Sequence, residues 1–121
     1  MAKTQRDRHG GTSAYYSAIA IELGLKAYLL HRGITDHWNR IHVRHDLTKA
    51  LKCARRAGLK DVPEGVSRLA EALSPLYASG ALSQGVANPA IAMSAIDAHQ
   101  AIADLLLIVE AIIKTERETG G

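Results

Sequence analysis

Four histidines, His31, His37, His42 and His45, fall within fifteen residues of this chain and alternate with Arg32, Arg40 and Arg44. An imidazole beside a guanidinium suits acid–base work next to a developing negative charge. A zinc site needs three or four converging ligands, and this segment adds only Asp36 and Asp46 and no cysteine, so no metal is expected. No cofactor is expected either. His45 is read as a residue that caps or packs at the start of the following helix, with the other histidines titrating in solvent.

A basic stripe follows. Lys49, Lys52, Arg56 and Lys60 recur at spacings of three and four, and Arg40 and Arg44 extend the row upstream. Such a row either contacts several phosphates without base specificity or is a solvated helix face. Upstream, Glu22 and Lys26 stand one helical turn apart in otherwise apolar sequence. They are expected to form an intrahelical ion pair, either purely structural or facing a cleft and fixing the packing of His45. His99, with Asp97 nearby, is the polar group early in the last apolar segment, and the commonest fate of such a histidine is a hydrogen-bonded core position. Cys53 has no second cysteine to pair with and no neighbouring base to activate it.

The elements that position these groups are helices. Phe is absent and Trp38 is the one tryptophan, so the 121 residues depend on Ala, Leu and Ile for their core, which suits close helix packing. A helix opens at Thr12 or Ser13 and runs to about Arg32, where Gly33 ends it. Ala14, Ala18, Ile21, Leu25 and Leu29 give it one buried face, widened by Ile19, Leu23, Ala27 and Leu30. Thr35 or Asp36 caps a short turn. Asp46 caps a second helix that stops before Gly58, with Leu47, Ala50, Leu51 and Ala54 inward. Pro63 opens a third, with Val66, Leu69, Ala70, Leu73, Leu76 and Tyr77 inward and Pro75 kinking or ending it. Asn88 and Pro89 begin a last helix, from Ala90 to about Arg117, with its seam at Ile91, Ala95, Ala98, Ile102, Leu105, Val109 and Ile112. The result is an all-α, four-to-five-helix up-and-down bundle over residues 12–117, with a basic arm at 1–11 and a tail at 118–121.

Charge is polarised along the chain. Residues 1–60 hold twelve basic and four acidic groups, and residues 61–121 hold three and eight, so a net +3 conceals halves of +8 and −5. The basic half attracts phosphate-bearing partners. Asp97, His99, Gln100, Asp104 and Glu110 break up the long apolar run near the C-terminus, so no membrane span is expected there. A lone cysteine and the lack of a leader pattern point to a reducing cytoplasm.

The run Ile21-Glu22-Leu23-Gly24-Leu25-Lys26-Ala27-Tyr28-Leu29-Leu30, then Gly33, then His45-Asp46-Leu47 with Leu51 and Gly58-Leu59, resembles the first two helices of HEPN domains. The resemblance implies a usually dimeric helical bundle, in a superfamily that includes metal-independent endoribonucleases of toxin–antitoxin and defence systems and noncatalytic RNA-binding or nucleotide-binding members. Active members carry an R-x4-6-H motif near the start of the last helix. Here no arginine lies between Tyr77 and His99, so only His99 stands in the histidine's place. Arg32 to His37 and Arg40 to His45 match the spacing but lie in the first interhelical segment.

The expectation is therefore a HEPN-like dimeric module that binds RNA or nucleotide through residues 40–60 without efficient catalysis. One alternative is a divergent ribonuclease using His45 or His99 with Arg40 or Arg44. A second is an interaction subunit that pairs with a nucleotidyltransferase-type partner. A homodimer is expected because the last helix carries more apolar surface than one small bundle needs.

Overall fold

In the computed structural model, which describes residues 2–81 and 93–120, the chain forms five α-helices, and no strand occurs among the described residues. They are α1 (Ala2–His31), α2 (Asp36–His42), α3 (Leu47–Arg56), α4 (Glu64–Ala78) and α5 (Ala95–Gly120). The long α1 packs against α3, α4 and α5, whereas α2 rests on α1 alone among the described residues.

Helix α1 starts ahead of the expected caps at Thr12 and Ser13, and residues 2–11 take a helical path continuous with it. Extending an existing helix costs little for Ala, Lys, Gln and Arg, even across two glycines. Its expected inward positions Ala14, Ala18, Ile21, Leu25 and Leu29 are all buried. The widening set divides differently. Ile19 is half-buried, but Leu23, Ala27 and Leu30 face solvent, so α1 is apolar on two sides and the bundle covers only one.

α1 and α3 end in the same device. Gly33 and Gly58 take φ of 88° and 114°, and the next residues reach back five positions, Ile34 N–H to the Leu29 carbonyl at 2.9 Å and Leu59 N–H to that of Ala54 at 3.0 Å. Between these stops the chain doubles back through α2, capped by the Thr35 hydroxyl accepting from Trp38 N–H at 3.1 Å. Glu22 therefore lies by His45 and Tyr28 by Ala57, so α1 and α3 run in the same sense, while α3 and α4 are antiparallel, with Leu47 by Ser74 and Arg55 by Ser67.

Helix α4 keeps the expected core residues Val66, Leu69, Ala70, Leu73 and Tyr77 buried, with Leu76 half-buried. Pro75 does not end it. The proline is exposed, and the helix continues to Ala78, because one missing donor near a C-terminus leaves the remaining ladder intact. The expected cap at Asn88 and Pro89 lies outside the described residues. Met93 and Ser94 are not helical, and α5 begins at Ala95, later than expected, with the Ser94 hydroxyl accepting from Asp97 N–H at 3.1 Å. Its buried stripe is Ala101, Ile102, Leu105 and Val109, Ala98 and Ile112 are half-buried, and Ala95 is exposed. No helix among the described residues is long and apolar enough to cross a membrane.

Candidate functional site

Two neighbouring features are built where α2 and α3 meet α1 and α4. The first is a polar knot around Glu22, whose carboxylate is buried in the apolar C-terminal half of α1. Tyr77 O–H donates to Glu22 Oε2 at 2.9 Å, His45 Nδ1 lies 2.7 Å from Oε1, and Lys26 Nζ lies 3.6 Å from the same oxygen. An ionised carboxylate only accepts, so Nδ1 carries the proton in this contact and Nε2 is turned away from Glu22. The His45 side chain is 58% exposed, and its ring also packs on Tyr77 with centroids 5.0 Å apart. Burial first, and then the bond to Glu22, push the Tyr77 hydroxyl well above its ordinary value, so it remains a donor at neutral pH.

The chain around His45 is held tightly. Arg44 takes a φ of 53°, and Asp46 then caps α3 by accepting from Lys49 N–H at 3.1 Å and from the Thr48 hydroxyl at 2.7 Å. Buried Ser74 of α4 donates to the same Asp46 oxygen at 3.0 Å and accepts from Leu47 N–H at 2.9 Å. Burial disfavours the Asp46 carboxylate, but these donors outweigh it and hold its carboxyl below the usual range. His45 is thus fixed by its neighbour in sequence as well as by Glu22.

The second feature is cationic. Lys49, Lys52 and Arg56 lie on the solvent face of α3, opposite buried Leu47, Ala50, Leu51 and Ala54, and Lys60 is exposed just beyond the helix. Among the described residues none of these four has a carboxylate within ion-pair distance. Arg44 is exposed too, and among the described residues Arg40 forms only a solvent-exposed pair with Asp36 at 3.5 Å. On α2 the Trp38 and His42 rings stack at 4.6 Å, with Trp38 38% exposed.

The structure thus brings Glu22, Lys26 and His45 together and keeps Arg40, Arg44, Lys49, Lys52, Arg56 and Lys60 on the surface. It does not bring in His99. That side chain is exposed at the start of α5, outside the buried stripe, and not in the core position expected of it, because α5 begins late and its first turn stands clear. No hydrogen bond, ion pair or ring contact joins His99 to His45, Arg40 or Arg44. Nor do the histidines converge: His42 stacks on Trp38, His45 binds Glu22, and His31 meets Glu116 on α5. Among the described residues no group of three or more His, Cys, Asp or Glu is placed to hold a metal ion.

Sequence reasoning missed Tyr77, Ser74 and the Trp38–His42 stack. The stack had a signal in its four-residue spacing on a capped turn. Tyr77 lies 55 residues from Glu22, and no local pattern links them. Comparison with models of protein families, with curated proteins and with solved structures found no match to this chain.

Proposed function

We propose that the protein is a HEPN-like module that binds the phosphate backbone of RNA through α2 and α3. One observation carries this reading: the solvent face of α3 presents Lys49, Lys52 and Arg56 with no carboxylate within ion-pair distance among the described residues. Arg40, Arg44 and Lys60 extend that face, and a flexible phosphate chain of several nucleotides matches a row of separated charges better than a single small anion does. The Trp38–His42 ring pair on α2 offers an exposed ring face to an unpaired base, which suits single-stranded RNA. Exposed cations without a shaped pocket supply affinity and no base reading.

The test is retention of a labelled mixed-sequence RNA without metal. Changing Lys49, Lys52 and Arg56 together to Glu abolishes retention on this reading, and unchanged retention overturns it. Retention competed off by a mononucleotide at equal phosphate concentration moves the assignment from RNA to nucleotide.

The Glu22–His45 contact favours a second reading, a divergent metal-independent ribonuclease. A buried carboxylate that holds Nδ1 leaves an outward Nε2 able to take a hydroxyl proton, and Arg44, next to His45 in sequence, and Arg40 are the cations assigned to developing phosphate charge. Cleavage in the same assay that is lost in His45→Ala and kept in His99→Ala supports it, and intact RNA removes it.

A further inference from the structure

A helix of seven residues does not persist by itself in water, because too few backbone bonds follow its costly first turn. α2 therefore depends on its seat on α1, and that seat is poorly made. Asp36, His37, Trp38, Arg40, Ile41 and His42 are all exposed, so Asn39 is the one side chain that the helix buries, with Val43 buried at its end. Asn39 is 0% exposed, yet among the described residues neither the nitrogen nor the oxygen of its carboxamide has a hydrogen-bond partner. A carboxamide carries two donors and an acceptor, and taking them out of water unpaired outweighs what packing so small a side chain contributes. By contrast, α3 is anchored by four apolar side chains, Leu47, Ala50, Leu51 and Ala54.

The exit from α2 is strained as well. Arg44 holds a φ of 53°, a left-handed conformation that a residue with a Cβ adopts at a cost. Its N–H donates to the Asn39 backbone carbonyl at 2.7 Å, so the strained turn is tied to the helix and relaxes when the helix lets go. The segments on either side are fixed independently of α2. Ile34 N–H bonds to the Leu29 carbonyl at the stop of α1, and the Asp46 cap of α3 is bonded to Ser74 of α4.

We propose that α2 is a two-state strap, docked on α1 as a helix or released and unwound between Gly33 and His45, and that the buried carboxamide of Asn39 sets the balance between the two. In the docked state the carboxamide is unpaired and Arg44 is strained. In the released state water satisfies the carboxamide and Arg44 leaves the left-handed region, while the loss is confined to Val43 and one short helix. Release is therefore a local event that leaves α1, α3, α4 and α5 in place. Arg40 and Trp38 ride on the strap, so its docking decides whether they stand in line with Lys49, Lys52 and Arg56. That consequence rests on the proposed RNA binding, whereas the release of the strap does not.

Amide hydrogen exchange of the full chain, followed residue by residue by NMR without RNA, tests it. Corrected for intrinsic rates, the amides of residues 39–44 are expected to exchange roughly a hundredfold or more faster than those of Leu51 to Arg56 in α3. Asn39→Leu keeps nearly the same volume and removes both unpaired groups, so it slows exchange over 39–44 roughly tenfold or more and does not speed exchange in α3. Asn39→Asp puts a charge in the same buried position and speeds exchange over 39–44, again without speeding it in α3. Equal protection of α2 and α3 in the wild type overturns the inference. So does exchange over 39–44 that is unchanged or faster in Asn39→Leu, or unchanged or slower in Asn39→Asp.

Discussion

Removing one hydroxyl, in Tyr77→Phe, tests whether Glu22 is held by the bundle or only by its exposed neighbours. The phenol donates to a buried carboxylate oxygen at 2.9 Å, and among the described residues no other group bonds to that oxygen. A hydrogen bond to a charged, buried partner is worth about 1.5–3 kcal/mol, and the ring itself is retained, so the loss is about 2 kcal/mol. At about 2.1 cal/mol/K of unfolding entropy per residue, the melting temperature falls by about 8 °C. His45→Ala removes a bond to the same carboxylate from a side chain that is 58% exposed, where solvent screens the contact, so it costs less than about 1 kcal/mol. Differential scanning calorimetry of both variants at pH 7 reads the order directly. The two also differ with pH. Tyr77 has a raised folded pKa, so its contribution is full below the ordinary tyrosine value of 10.0 and is lost as pH rises toward the folded one. The gap between wild type and Tyr77→Phe therefore closes only in strong alkali. A Tyr77→Phe melting temperature within 2 °C of wild type, or a larger loss in His45→Ala, refutes the reasoning.

Gly65→Ala is expected to destabilise, because a Cβ there would stand 2.7 Å from the Cβ of Ala101, a rigid neighbour; overpacking of about 1–3 kcal/mol outweighs the gain of up to about 1 kcal/mol in helix propensity, and denaturant titration shows a lower midpoint. Asp46→Ala removes the α3 cap and its tie to Ser74 and lowers stability by about 1–2 kcal/mol at pH 7. Since the folded Asp46 pKa is depressed, that difference is present above the ordinary 3.8 and fades as pH falls through the folded value, which urea titrations at pH 7 and pH 2 compare. Trp38 is the one tryptophan in the chain and half-exposed on α2, so single-stranded RNA quenches its fluorescence under the proposed function, and Trp38→Ala weakens binding roughly tenfold or more.

How far the sequence revealed the molecule depended on whether the signal was local. α3 was readable at both ends and on both faces, because Asp46 as cap, the inward Leu47, Ala50, Leu51 and Ala54, and the stop at Gly58 all follow rules that span five residues or fewer. The cationic face came with it, since a helix that buries one stripe must expose the other. α1 was ambiguous for the opposite reason: with apolar residues on two sides, periodicity locates the helix but not its inner half, and Leu23, Ala27 and Leu30 were placed inward with Ile21 and Leu25. Pro75 and the start of α5 show the limit of single-residue signals, which compete with packing from elsewhere in the chain. Glu22 and Lys26 stood out as charges in an apolar helix, and their link to His45 was among the readings. Tyr77, which completes the knot from α4, reaches it only through tertiary structure.

Fluorescence anisotropy of a labelled single-stranded RNA across a salt series tests the central claim most directly. Six exposed cations, Arg40, Arg44, Lys49, Lys52, Arg56 and Lys60, each contribute about 0.7 to the slope of log K against log salt on a single strand, a total of about four if all engage phosphates. Neutralising Lys49, Lys52 and Arg56 to Ala is expected to lower that slope by about two while weakening binding at every salt concentration. A wild-type slope near zero, or a slope unchanged in the triple variant, contradicts the assignment of RNA binding to the α2–α3 face.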